Sequence, residues 1–161
     1  MSKQKHLLQS GFSLLELVVV MMIIGVLAAV LLVNFQAART RSRDAARKAD
    51  LRQIKSALQI YYNDYQQFPA SSLAGEIDGC GASGTSTCAW GGSFTAGGTQ
   101  YMNSIPVDPI NSGTYVFTYE QTSVDSYTLT AILENASDED LAKTQARCGS
   151  GTGNEYVVCQ D

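Results

Sequence analysis

The sequence predicts an α+β fold in which one long amino-terminal α-helix, apolar in its first half and amphipathic in its second, carries a small antiparallel β-sheet. Three observations predict it. No proline occurs before Pro69, so nothing interrupts a helix there. Residues 17–33 are seventeen consecutive apolar positions without a charge. Segments 115–119, 127–133 and 156–159 are rich in aromatic and β-branched residues and read as strands. With 161 residues the chain has room for one ordinary domain and an appendage, which excludes a multidomain enzyme.

The chain opens with a short cationic leader, residues 1–11, that runs into the apolar stretch. Residues 12–33 number 22, a helix of roughly 33 Å, close to the thickness of a bilayer hydrocarbon core. A membrane stage is therefore expected. A secretory signal would place a small-residue cleavage site after the apolar run, whereas here the polar leader ends in Ser10-Gly11 before it. Any cut would therefore fall on the cytoplasmic side. Glu16 interrupts this region, and a carboxylate near mid-bilayer costs about 2.5–3.5 kcal/mol unless it reaches the interface or a cation. Either it sits at the headgroups, favoured by its own helix terminus, or it finds a positive partner.

The run Gly11-Phe12-Ser13-Leu14-Leu15-Glu16-Leu17 before a long apolar helix resembles the processing site of type IV pilins and type II secretion pseudopilins. The resemblance implies a pilin-like fold and cleavage by a prepilin peptidase between Gly11 and Phe12, followed by methylation of the Phe12 amine. It also implies that Glu16 is needed for methylation and assembly. A physical reason suits that role: among packed apolar helices the carboxylate seeks a cation, and the Phe12 amine of a neighbouring subunit is one. Relatives often carry a proline just before the position of Asn34, where this chain has Val33, so a family-style kink is not expected. Gly25, a weak helix residue, is a point where the helix can loosen.

Beyond Val33 the pattern turns amphipathic. Leu51, Ile54, Leu58, Tyr61 and Tyr65 fall in one stripe, which predicts a helix from Ser13 to about Tyr65 with its second half as the spine of a head domain. At roughly 80 Å, such a helix outruns the head, and half of it is expected to project. The expected organisation is thus a removed leader (1–11), a transmembrane and filament-core helix (12–35), an amphipathic spine (36–68) and a globular head (69–161).

Charge follows the same segments. Between Gln36 and Ile60, Arg39, Arg41, Arg43, Arg47, Lys48, Arg52 and Lys55 stand against Asp44 and Asp50, a net of +5. From Tyr61 onward Lys143 and Arg147 stand against twelve acidic residues, a net of −10, and the whole chain carries −4. An acidic head repels phosphate backbones, so nucleic acid is not an expected partner. In a filament the basic collar of one subunit is expected to face acidic patches of others.

In the head, residues 70–98 hold eight glycines and read as a long loop. Cys80, Cys88, Cys148 and Cys159 allow three pairings, and the two local ones, Cys80 with Cys88 and Cys148 with Cys159, are preferred over crossed pairs or free thiols. No C-x-x-C spacing suggests zinc. Residues 120–126 read as the loop of a hairpin, and Ser137 as the cap of a short helix that ends before Gly149. The run Ile105-Pro106-Val107-Asp108-Pro109 with the two following strands also resembles pseudopilin heads. That resemblance implies calcium candidates at Asp108 and Asp125. Their carboxylates are sparse and the spacing does not fit a dedicated calcium loop, which favours turn-capping. No cofactor is otherwise expected.

The single histidine, His6, lies in the leader, which removes imidazole-based nucleophilic and metal chemistry from the remaining chain. No G-x-S-x-G occurs, so a tethered hydrolase finds no support. The reading is a structural subunit, not an enzyme: a homo-oligomer in a helical filament, single-pass in the cytoplasmic membrane before assembly and extracytoplasmic or at the cell surface afterwards. Its implied partners are prepilin peptidase, membrane lipid, and an inner-membrane platform with its assembly ATPase. Pilus, secretion pseudopilus and DNA-uptake filament share that assembly chemistry. The alternative is a membrane-anchored extracellular binding module that does not polymerise, for which Glu16 has no use.

Overall fold

A computed structural model describes residues 12–160, with the backbone alone at 30–34. Helix α1 spans Leu14–Tyr65 and is unbroken through Gly25 and through the 33–34 backbone. It ends where Gln66 turns left-handed at φ 53°, its N–H donating to the Tyr62 carbonyl at 2.8 Å, three residues before Pro69. By its internal contacts the chain divides after Arg39 into two units.

In the first unit the described chain is helical from Leu14 onward, and its described apolar side chains face outward. Exposure of its large apolar residues up to Leu27 runs from 46% at Val20 to 83% at Phe12. Among the described residues no helix is long and apolar enough to cross a membrane. The described side chains of the apolar run reach only Ala29. Near the end of this unit the Arg39 guanidinium stacks 4.7 Å from the centre of the Phe35 ring.

The second unit is built on the rest of α1. Asp44, Arg47, Leu51, Ile54, Leu58 and Tyr61 are all buried, at alternating steps of four and three that keep one face of the helix turned inward. The apolar members of that stripe each contribute about 1.5–3 kcal/mol by leaving water. Tyr65, next in the expected stripe, remains 39% exposed because it closes the helix and stacks on Tyr61, ring centres 4.4 Å apart.

The glycine-rich segment is not a loop. It contains β1 (Ala70–Ser71), β2 (Ile77–Cys80) and β3 (Ser86–Cys88), an antiparallel sheet in that order, then β4 (Phe94–Ala96), which forms a hairpin with β5 (Thr99–Met102) just beyond the segment. The strands are short because glycines at positive φ turn the chain between them. At Gly97 (φ +57°) an added Cβ would lie 2.6 Å from the Tyr65 hydroxyl. Phe94 and Tyr101 of this hairpin pack on Tyr61, with ring centres 5.5 and 5.3 Å away.

The main sheet has the order β6 (Thr118–Ser123), β7 (Ser126–Ile132), β8 (Glu155–Cys159), all antiparallel. The hairpin connection is two residues, Val124 and Asp125, instead of the seven expected, since Ser123 pairs with Ser126. Residues 120–123 read as loop because they are polar, yet their backbones pair with β7 while Glu120, Thr122 and Ser123 face water. Residues 115–117 lie outside β6, held instead by a turn in which the Tyr115 N–H reaches the Ser112 carbonyl at 3.1 Å. Tyr127, Leu129 and Ala131 point inward from β7, and Tyr119 from β6. Helix α2 (Glu139–Cys148) lies between β7 and β8 in the chain. Its cap is Asp138, whose carboxylate accepts from the Asp140 N–H at 3.0 Å, and not Ser137. Ser137 is instead bound through its own N–H to the Asn135 side chain at 3.2 Å. Gly149, left-handed at φ 62°, closes α2.

Candidate assembly site

Phe12 and Ser13 precede α1, and Glu16 lies exposed in its first turn, where unpaired backbone N–H groups and the helix dipole favour a carboxylate. Gly11, like residues 1–10, lies outside the described residues. Around Glu16, Leu14, Leu15 and Leu17 are 80%, 74% and 57% exposed. A contiguous apolar surface of this kind with one carboxylate at its edge marks a site that lipid or protein covers. Chemically it offers an apolar contact area and one carboxylate in the first turn of the helix.

The basic collar does not act as a unit. Arg43, Arg47 and Lys48 turn to acids of their own chain, because α1 presents them on or beside its buried face. Arg47 is fully buried: Nε donates to Asp108 at 2.6 Å, and Nη1 donates to Asp44 at 2.7 Å and to Glu134 at 2.8 Å. The face of its guanidinium lies 5.0 Å from the Tyr115 ring centre. Burial alone pulls an arginine pKa down, but the bonds to Asp108, Glu134 and Asp44 outweigh it and hold the charge firmly. Glu134 also binds Arg43, and that hydrogen bond, with Arg47, lowers its carboxyl to about 2. Asp44 further accepts the backbone N–H groups of Glu134 and Asn135 at 3.0 and 2.9 Å. Lys48 reaches Asp138 and Asp140 at the start of α2. Extending the apolar stripe backward from Leu51 by four and then three residues lands on Arg47 and Asp44. That spacing was the available signal; the charges concealed it.

The two calcium candidates serve different partners. Asp108 is buried, with its oxygens taken by Arg47 and by the N–H groups of Ile110 and Asn111 at 2.8 and 3.3 Å, so it caps the turn that follows Pro109. Asp125 accepts the Tyr62 hydroxyl at 2.7 Å. Among the described residues no group of three or more His, Cys, Asp or Glu side chains is placed to hold a metal ion. Cys80 is joined to Cys88 and Cys148 to Cys159, with Cα separations of 5.3 and 5.7 Å.

Residues 7–32 match the family described as the prokaryotic N-terminal methylation motif. The type IV major pilin protein PilA of Myxococcus xanthus is 34% identical over 67 residues, 42% of this chain and 30% of that protein. The type II secretion system core protein G of Pseudomonas aeruginosa is 33% identical over 63 residues, 39% of this chain and 44% of that protein. The chain thus spans less than half the length of either curated relative. No solved structure is significantly similar to it. With the apolar helix, its single early carboxylate and the α+β head in place, the chain carries the prokaryotic N-terminal methylation motif and resembles type IV pilins and type II secretion pseudopilins.

Proposed function

We propose that this chain is a structural subunit of a type IV pilus or type II secretion pseudopilus-like filament, cut after Gly11 and polymerised through α1. The observation that carries the reading is the outward apolar surface that runs from Phe12 into the first half of α1, with Glu16 as its one charge and the methylation motif across it. Burying that surface against identical helices removes it from water, and the Glu16 carboxylate then needs a cation, which the Phe12 amine of a neighbour supplies. The pairing also fixes axial register, since apolar helices otherwise slide past one another at little cost. Before assembly the same surface is covered by lipid, with residues 17–33 as the apolar stretch in the membrane. Processing by a prepilin peptidase, methylation of Phe12, and handling by a membrane platform with its ATPase belong to this reading. Of the alternatives, a non-polymerising anchored binding module leaves Glu16 without a purpose.

The test is Glu16→Ala expressed alone and beside the wild type, comparing membrane-fraction abundance with sheared-fibre yield. Insertion should persist, because the carboxylate of a lone subunit stays within reach of water. Fibre yield should collapse. Normal fibres made of the variant alone would overturn the filament reading.

A further inference from the structure

With Arg43, Arg47 and Lys48 committed inside the second unit and Arg39 stacked on Phe35, two arginines of the same stretch remain without an ion pair, hydrogen bond or ring contact among the described residues: Arg41 and Arg52, both exposed. They are eleven positions apart, which on a helix is three turns plus about 20°, so they project from one side of α1 roughly 16 Å apart. Guanidinium groups in such an arrangement offer ten fixed N–H donors with nothing to receive them.

The outer face of the main sheet has the converse chemistry. A groove of about 410 Å³ runs over β6 and β7, lined by Thr118, Thr128, Thr130, Ser150 and the two acids Glu120 and Glu155. A second groove, lined by Ser72, Leu73 and Gly75, meets it at Thr118 and Glu120. No lysine or arginine lines either groove. Glu120 is exposed, and its carboxylate has no partner among the described residues. Its cross-strand neighbour is Thr128, and Thr118 lies opposite Thr130, so a carboxylate and a ladder of hydroxyl acceptors share one face.

Resting on the filament reading, we infer that the β6–β7 outer face is the docking surface for a second copy of this chain, with Glu120 receiving Arg41 or Arg52 of that copy. The chain's own unpaired donors and unpaired acceptors are complementary in charge and in hydrogen-bonding type. Planar guanidinium meets carboxylate in a bidentate fork, and the threonine hydroxyls accept the remaining N–H groups. Partial exposure keeps each contact modest, so repetition between many copies supplies the strength.

The experiment uses the full chain in membranes and a zero-length carbodiimide, which joins a carboxylate to an amine in direct contact. Arg41→Lys and Arg52→Lys keep the charge and supply the amine. A dimer band should appear in one or both variants, and peptide mapping should show Glu120 of one copy linked to the introduced lysine of another. Mixing isotopically labelled and unlabelled chains distinguishes links between copies from links within one. Glu120→Lys should reduce the dimer about fivefold, and pairing Glu120→Lys subunits with Arg41→Glu/Arg52→Glu subunits, which puts the amine on one side and the carboxylate on the other, should recover it. Absence of a Glu120 link, or a dimer indifferent to Glu120→Lys, overturns the assignment. The filament reading fails separately, on normal fibres from Glu16→Ala.

Discussion

Arg47 and Asp108 stand 61 positions apart and meet with both side chains fully out of solvent, Nε to one carboxylate oxygen at 2.6 Å and Nη2 to the other at 3.1 Å. The fork ties α1 to the turn after Pro109, while Asp44 and Glu134 occupy the remaining guanidinium edge. A buried arginine among three carboxylates is tolerated because each partner is hydrogen-bonded; removing the centre strands three acids at once.

Arg47→Leu should therefore lower the stability of the second unit by about 3–5 kcal/mol. The measurement is chemical denaturation of the detergent-solubilised chain followed by the fluorescence of Trp90, its sole tryptophan, which packs on Phe117. A loss under 1 kcal/mol would mean that the fork contributes little beyond its own desolvation.

Acid should act through Glu134. Its carboxyl, held to about 2 by Arg43 and Arg47, is depressed from an ordinary value of 4.5. The stability it contributes is complete above pH 4.5 and is lost as pH falls toward 2. Glu134→Gln should abolish that part of the acid sensitivity, on the order of 2 kcal/mol, and leave stability nearly independent of pH across that interval as far as this group is concerned. An unchanged acid profile in the variant would assign the sensitivity to other carboxylates.

The carboxy-terminal disulfide closes a loop with a sequence separation of 11. Replacing both Cys148 and Cys159 by Ser should cost roughly 2–3 kcal/mol in the same denaturation assay. Non-reducing peptide mapping of the wild type should recover Cys148 linked to Cys159; recovery of Cys148 with Cys80 would refute the pairing.

Gly97→Ala combines a left-handed backbone with a Cβ placed 2.6 Å from the Tyr65 hydroxyl. A loss of about 1–3 kcal/mol is expected. Pairing it with Tyr65→Phe removes the clash but not the backbone strain, so the double variant should recover part of the loss and not all of it.

Intact-mass measurement of envelope protein should show a chain beginning at Phe12 with one added methyl group. A mass that retains residues 1–11 would reject processing at Gly11.

Much of this architecture was legible in the residues. The helix is announced by the absence of proline before Pro69, and its end by the Leu51-to-Tyr61 stripe followed by proline. Strands β7 and β8 carry enough aromatic and β-branched residues to declare themselves. What escaped was of three kinds. Strands of two to four residues between glycines, such as β1 and β4, are too short to display alternation, and their pairing comes from tertiary neighbours. The inward turn of Arg47 is invisible to hydrophobic periodicity because the face it occupies is ionic. Asp138 as the cap of α2 was one residue from Ser137, a distance within which local sequence signals overlap.

Both disulfides join a cysteine to the next one along the chain, across eight residues and then eleven. The pairing therefore matches the order of synthesis. In the proposed filament reading the head enters an oxidising space with its amino-terminal side first, so that Cys88 follows Cys80 before either later thiol is present, and Cys148 meets only Cys159 once the first pair has closed. Correct connectivity then follows from the timing of appearance, and the chain has no need of a reshuffling step to escape crossed bonds.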